Sequence, residues 1–224
     1  EKAIKARLMY GISGQPYQSY INDLALSKNE DGGYGLLPGY SSDVLTTLEA
    51  ALAMYVTGTS TQNFFHQAVY YIVNQIPANG AMKYSSEGDP SYYLINRTAR
   101  YLYPFRNFSV GSGTNEIFIQ NKIDALLSYL SIQYDSTNNK LLGTDDIIDE
   151  LMTVQTWQIY GQQSANIISL KSKLVMLQNG DGSFGQSSFT TVQAMFSLAD
   201  SQLQALALVN KDTLQNGVNT SFIL

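Results

Sequence analysis

The sequence predicts an all-α fold built from repeated helical hairpins. Three observations lead there. Apolar residues recur at three- and four-residue intervals almost throughout the 224-residue chain, Gly-, Asn- and Pro-rich breaks separate these stretches, and the breaks resemble one another. Leu45, Leu48, Leu52 and Val56 form one apolar stripe, and Ile123, Leu126, Leu127 and Leu130 a second. Ile147, Leu151, Val154 and Ile159 with Trp157 form a third, and Ile167, Leu170, Leu174 and Leu177 a fourth. Taken in order, the spacing predicts helices over 3–12, 17–28, 42–57, 61–76, 90–103, 115–133, 145–161, 165–178 and 189–204. Residues 1–206 read as one repeat domain. Residues 207–224 read as a C-terminal extension, where Asn216-Gly217 suits either the turn of a short β-hairpin or a frayed end.

The breaks carry the repeat. Asp31-Gly32-Gly33-Tyr34-Gly35 recurs as Asp181-Gly182-Ser183-Phe184-Gly185, with weaker copies at Asn79-Gly80-Ala81-Met82-Lys83-Tyr84 and Asn138-Asn139-Lys140-Leu141-Leu142-Gly143. Each copy precedes a helix bearing a Thr in similar company: Thr47, Thr98, Thr153 and Thr191. The unit is therefore a helical hairpin. A Gly-rich turn lets the chain reverse through positive φ, and Tyr34 or Phe184 can fold back between neighbouring helices. Ser42 or Asp43, and Thr144 or Asp145, stand where the N-caps of the next helices belong.

Composition narrows the function. Charged residues are 14% of the chain, against roughly 25% in an average soluble domain, so Ser, Thr, Asn, Gln and Tyr must supply much of the polar surface. A net charge of −5 gives no reason to expect a nucleic-acid partner. No apolar run approaches the length of a membrane span, so no membrane insertion is expected. The absence of Cys excludes disulfides, thiolate zinc sites, a Cys nucleophile and an internal thioester. The single histidine, His66, excludes a site needing two imidazoles, and its place on a crowded helix favours a structural or partly exposed role. Low Lys and Glu with 16 Tyr suit an exported bacterial or archaeal surface protein, hence an extracellular or cell-surface location. The opening Glu-Lys-Ala-Ile-Lys, without Met or an apolar leader segment, reads as a mature or excised segment.

At the turns the chain resembles a family. Gln178-Asn179-Gly180-Asp181-Gly182-Ser183-Phe184 is similar to the Gln-x3-Gly-x-Trp repeat of squalene and terpenoid cyclases, with Phe in place of Trp. Lys28 through Tyr34 looks like a second copy, and the run from Glu30 to Thr47 resembles prenyltransferase-like repeats of exported multidomain proteins. The resemblance covers most of residues 20–200. It implies an α/α toroid with inner helices around an axis and outer helices behind them. The inner candidates 3–12, 42–57, 90–103, 145–161 and 189–204 would make a small or incomplete barrel of about five helical hairpins. The family's chemistries need residues that are missing here. No Asp-x-Asp-Asp proton donor is present, and neither the zinc site of protein prenyltransferases nor a thioester can form without Cys.

Two constellations remain. Asp145-Asp146-Ile147-Ile148-Asp149 resembles the metal motif of class I terpenoid synthases. Asp145 and Asp149, four residues apart on one helix face, would then hold Mg²⁺ on a diphosphate. Acids at these positions are more commonly the capped first turn of a helix, and that reading is preferred. The second constellation is aromatic: Tyr92, Tyr93, Tyr101, Tyr103 and Phe105 with Arg97, Arg100 and Arg106 interleaved, residue types favoured in binding sites and also common in cores. A saccharide-cleaving pair would need Asp43 with Asp145 or Asp149. Asn96-Arg97-Thr98, Asn107-Phe108-Ser109 and Asn219-Thr220-Ser221 are glycosylation sequons. The Asp31 and Asp181 turns offer too few carboxylates for Ca²⁺, and no bound metal or cofactor is expected.

The first expectation is thus a non-catalytic module binding an unknown ligand or protein partner through Asp43, Tyr92, Tyr93, Arg97, Tyr101, Asp145, Asp146, Asp149 and Trp157. The alternatives are a cyclase- or prenyltransferase-type enzyme using the aspartates with Mg²⁺, and a glycan- or cobalamin-binding domain.

Overall fold

The computed structural model describes residues 24–56, 63–162, 164–185 and 187–198. Among these the chain is mostly helical, with seven α-helices and two small antiparallel sheets. The helices are α1 (Val44–Val56), α2 (Asn63–Asn74), α3 (Tyr92–Leu102), α4 (Ile119–Ile132), α5 (Ile147–Tyr160), α6 (Ser164–Met176) and α7 (Ser188–Leu198). Each falls within about two to four residues of a range predicted from apolar spacing, or inside it. Residues 24 and 25 are the described end of the predicted 17–28 helix. The predicted 3–12 helix, the end of 189–204 and the C-terminal hairpin lie outside the described residues.

The chain divides at Ile72–Val73 into two compact units. In the first, a turn over residues 28–43 feeds α1. Tyr34 pairs in isolated bridges with Lys28 and Asp43, and its ring is fully buried. Burial pushes its phenol up to about 12. Gly32 takes φ +86, and Asp31 Oδ1 accepts from the Gly33 N–H at 2.9 Å. The Tyr34 N–H donates to Thr47 Oγ1 at 2.9 Å, and that hydroxyl donates back to the Asp43 carbonyl at 2.6 Å. The turn-borne aromatic is thereby tied to the first turn of the helix that follows it.

The second unit contains the same turn. Gly182 also takes φ +86, Asp181 Oδ1 accepts from the Ser183 N–H at 3.0 Å, and the Phe184 N–H donates to Thr191 Oγ1 at 3.0 Å. The weaker copies bury Met82 and Leu141 where the strong ones bury Tyr34 and Phe184. At Gly80, φ is +73 and a Cβ would collide with the Ala125 carbonyl, so the turn also seats directly on α4.

Within this unit α3, α5 and α7 lie side by side, α4 packs on α3, and α6 packs on both α5 and α7. Polar side chains lace the three adjacent helices. Asn96 Nδ2 donates to Thr153 Oγ1 at 3.0 Å, and Thr156 Oγ1 donates to Asn96 Oδ1 at 2.7 Å, all fully buried. Gln155 Nε2 reaches the Gln193 carbonyl and Ser197 Oγ, joining α5 to α7. The Asn96–Thr153–Thr156 cluster and the Gln155 Nε2 bonds fix the helix register, because sliding either helix would break them, although Gln155 Oε1 itself has no hydrogen-bond partner among the described residues. Behind α5, Glu150 accepts two bonds from Lys173 Nζ of α6, at 2.6 and 2.8 Å.

The sheets were not expected from the spacing. β1 (Ser109–Val110) pairs with β2 (Ile117–Phe118) before α4, and β3 (Tyr134–Asp135) with β4 (Lys140–Leu141) before α5. The predicted helix over 115–133 therefore begins only at Ile119. Two-residue strands are too short to show alternation.

Candidate functional site

Part of the aromatic constellation, Tyr93, Arg97 and Tyr101, forms a ladder along α3. This helix starts because Ser91 caps it, its Oγ accepting from the Leu94 N–H at 3.3 Å. Its apolar face, Leu94, Ile95, Ala99 and Leu102, is buried. That leaves Tyr93, Arg97 and Tyr101, spaced four apart, on one part-buried stripe. The Arg97 guanidinium lies 5.6 Å from the Tyr93 ring centre and 4.6 Å from that of Tyr101. Each ring face offers negative potential to the cation and holds its planar fork in place.

Arg100, one turn from Arg97, is also part-buried, with its Nε wholly shielded from solvent. That Nε has no hydrogen-bond partner among the described residues, and no carboxylate is among the groups acting on the Arg100 charge. Burial pulls its guanidinium down to about 10, with the Arg97 charge acting the same way and Tyr101 and Tyr93 opposing. It is still a cation at neutral pH. Arg106 differs. It stacks 3.9 Å from the Tyr103 ring centre and donates from Nη1 to the Tyr103 carbonyl at 2.8 Å.

Tyr84 and Asp149 lie toward the N-terminal ends of α3 and α5. Tyr84 is largely exposed, and its phenol is raised mainly by desolvation, with Tyr93, Arg97 and Asp149 all within electrostatic reach. Asp149 is part-buried and accepts from the Thr144 hydroxyl at 2.8 Å. Burial raises its carboxyl, the Thr144 bond opposes this, and Asp146 and Glu150 add to the rise. Sequence reasoning passed over Tyr84, whose place in a Gly-rich turn gave no sign of this neighbourhood.

The other predicted residues are placed as follows. Asp146 caps α5 by accepting from the Ile148 N–H at 2.9 Å, so the cap is neither of the predicted Thr144 and Asp145 but the residue after Asp145. Thr144 instead uses its hydroxyl on Asp149. Asp145 is exposed beside them. Among the described residues no group of three or more His, Asp or Glu is arranged to hold a metal ion. Tyr92 is buried, donates to the Leu142 carbonyl at 2.6 Å and is pushed up to about 12 by burial. Trp157 is fully buried, edge-to-face with Tyr134 at 5.4 Å. Asp43, in the first unit, caps α1 by accepting from the Thr46 N–H at 2.8 Å. Asn96 of the first sequon is fully buried, whereas Asn107 of the second is exposed. His66 is exposed on α2.

No protein-family model matches the chain, and no curated protein resembles it closely enough to count as a relative.

The Asp149 carboxyl makes a pH prediction. Its folded value lies above the ordinary one, so its ionised form costs stability at neutral pH, and the cost is relieved as pH falls through the folded value. Asp149→Asn is therefore expected to raise the melting temperature at pH 7 and to leave it unchanged below the ordinary carboxylate range. Thermal unfolding of both chains across pH 3–7 checks this.

Proposed function

We propose that the chain is a non-catalytic ligand-binding module of an exported, multidomain protein. Its helical hairpins would form part of an α/α toroid. Support for the toroid comes from the parallel use of turn, cap and Thr around Tyr34 and Phe184, and from α3, α5 and α7 standing together with α4 and α6 behind. The binding face is the Tyr93–Arg97–Tyr101 ladder, with Arg100 and Tyr84 at its edges. The single observation that carries this reading is that ladder: two aromatic rings and a guanidinium held in a fixed, part-exposed array. Ring faces and forked donors are what binding hot spots use, because they add contact area with little loss of side-chain freedom. Low charge and abundant Tyr support the surface location.

A terpenoid-type enzyme reading is weaker. It needs Asp145, Asp146 and Asp149 free to converge on Mg²⁺, yet Asp146 caps its helix and Asp149 is engaged by Thr144.

A saccharide and small-ligand binding screen on the intact chain and on Tyr101→Ala tests the proposal. The expected outcome is at least one saturable ligand whose affinity falls about tenfold or more in Tyr101→Ala, since a lost aromatic anchor commonly costs 1–2 kcal/mol or more. Ligands that bind both chains equally would place the site elsewhere.

A further inference from the structure

We infer that Arg100 and Arg97 form the anion-recognition half of this binding face, made to take the oxyanion of an acidic ligand: a carboxylate, sulfate or phosphate carried on a ring that lies against Tyr93 or Tyr101. The inference rests on the ligand-binding reading above and deepens it by naming the ligand's chemistry.

Three arginines lie between residues 97 and 106, and their treatment differs. Arg106 has both a ring and a carbonyl. Arg97 is held between two rings. Arg100 stacks on no ring among the described residues, and its Nε is fully buried there without an acceptor. A guanidinium has five N–H donors in a rigid fork, and shielding even its Nε–H without an acceptor costs free energy. No carboxylate figures among the groups that act on the Arg100 charge; its charged neighbour is a second arginine. A protein using Arg100 only for packing could set an apolar side chain there at lower cost. An arriving oxyanion accepts from the Arg100 fork, screens the two like charges from each other and needs no other cation.

The position also fits. Three residues apart on a helix are neighbours on one face, so an anion reaching Arg100 also meets Arg97. Since Arg97 is oriented by its rings, its fork is ordered before the ligand arrives, which reduces the entropy lost on binding. Planar carboxylates suit a bidentate fork and tetrahedral sulfate or phosphate a bridged one, and one site serves both.

The test uses the full chain in low-salt buffer with four probes: glucuronate, glucose 6-sulfate, inorganic phosphate and uncharged glucose. Binding is followed by calorimetry and by the Arg100 Nε–H resonance. The expected result is saturable binding of at least one anion, a displaced Arg100 Nε–H signal, and weakening with added salt. Glucose should bind at least tenfold more weakly. Arg100→Met should remove anion binding while the chain stays folded, and Arg100→Lys should restore only part of it because the fork is lost. Binding of glucuronate or glucose 6-sulfate without phosphate assigns a ring-borne anion, and binding of phosphate alone assigns a free or terminal phosphate.

Failure of all three anions to bind, or anion binding equal in the intact and Arg100→Met chains, overturns the inference. If neutral saccharides bind through Tyr101 while no anion does, the anion inference fails and the ligand-binding reading stands. If nothing binds the ladder in either screen, both fall.

Discussion

Lys173→Met is expected to destabilise the protein by about 3 kcal/mol, because it leaves the Glu150 carboxylate buried without a partner. Glu150 is 7% exposed at its side chain and Lys173 30%, and both Glu150 oxygens accept from the one ammonium. The pair crosses from α5 to α6, so it also fixes how α6 sits on α5. Water reaches Lys173, and the intact pair contributes little net stability, since its Coulomb attraction roughly offsets the desolvation of Glu150. Removing one member is what costs. The double variant Glu150→Met, Lys173→Met should therefore recover most of the loss, and denaturant unfolding of the three chains checks both parts. A double variant as unstable as the single one would show that geometry at this contact, rather than the stranded charge, sets the cost.

Trp157→Ala is expected to cost about 4 kcal/mol, in the range seen when a large buried ring is deleted. Trp157 is fully buried on α5, the helix that touches α3, α6 and α7, so no single neighbour can move to fill the gap. It also loses the edge-to-face contact with Tyr134. Its indole Nε1 has no hydrogen-bond acceptor among the described residues. Trp157→Phe should consequently cost much less, because it keeps a ring against Tyr134 and removes a buried, unpaired N–H. Urea unfolding midpoints of the two variants against the parent chain provide the comparison.

Several features were legible in the sequence for physical reasons. Helix positions followed from the three- and four-residue apolar spacing, since burial against neighbouring helices imposes that period. The turn around Asp31 and Asp181 was legible because positive φ demands Gly and the Asp side chain closes on the backbone two residues ahead. Other features were not. Thr144, Asp145 and Asp146 all carry a suitable oxygen, and only the backbone register decides that Asp146 caps α5. β1 through β4 are too short to write a pattern. Asn96 reads as a sequon in the chain and becomes the buried clamp to Thr153 and Thr156 in the fold. The same limit applies at the proposed binding face. Tyr93, Arg97 and Tyr101 were recognisable by type and spacing, but the isolation of Arg100 depends on where every carboxylate ends up, which spacing does not encode.

The most direct test of the binding-module account is thermal unfolding with and without Mg²⁺ plus a prenyl diphosphate, beside neutral and acidic saccharides and cobalamin. A ligand present at about a hundred times its dissociation constant stabilises by about 2.7 kcal/mol, a readily measured shift. The account predicts that a saccharide raises the melting temperature, that the shift survives Asp145→Asn, and that it is lost in Tyr101→Ala. A shift that needs Mg²⁺ and diphosphate together, and disappears in Asp145→Asn, would contradict the account and make the aspartate motif the working site.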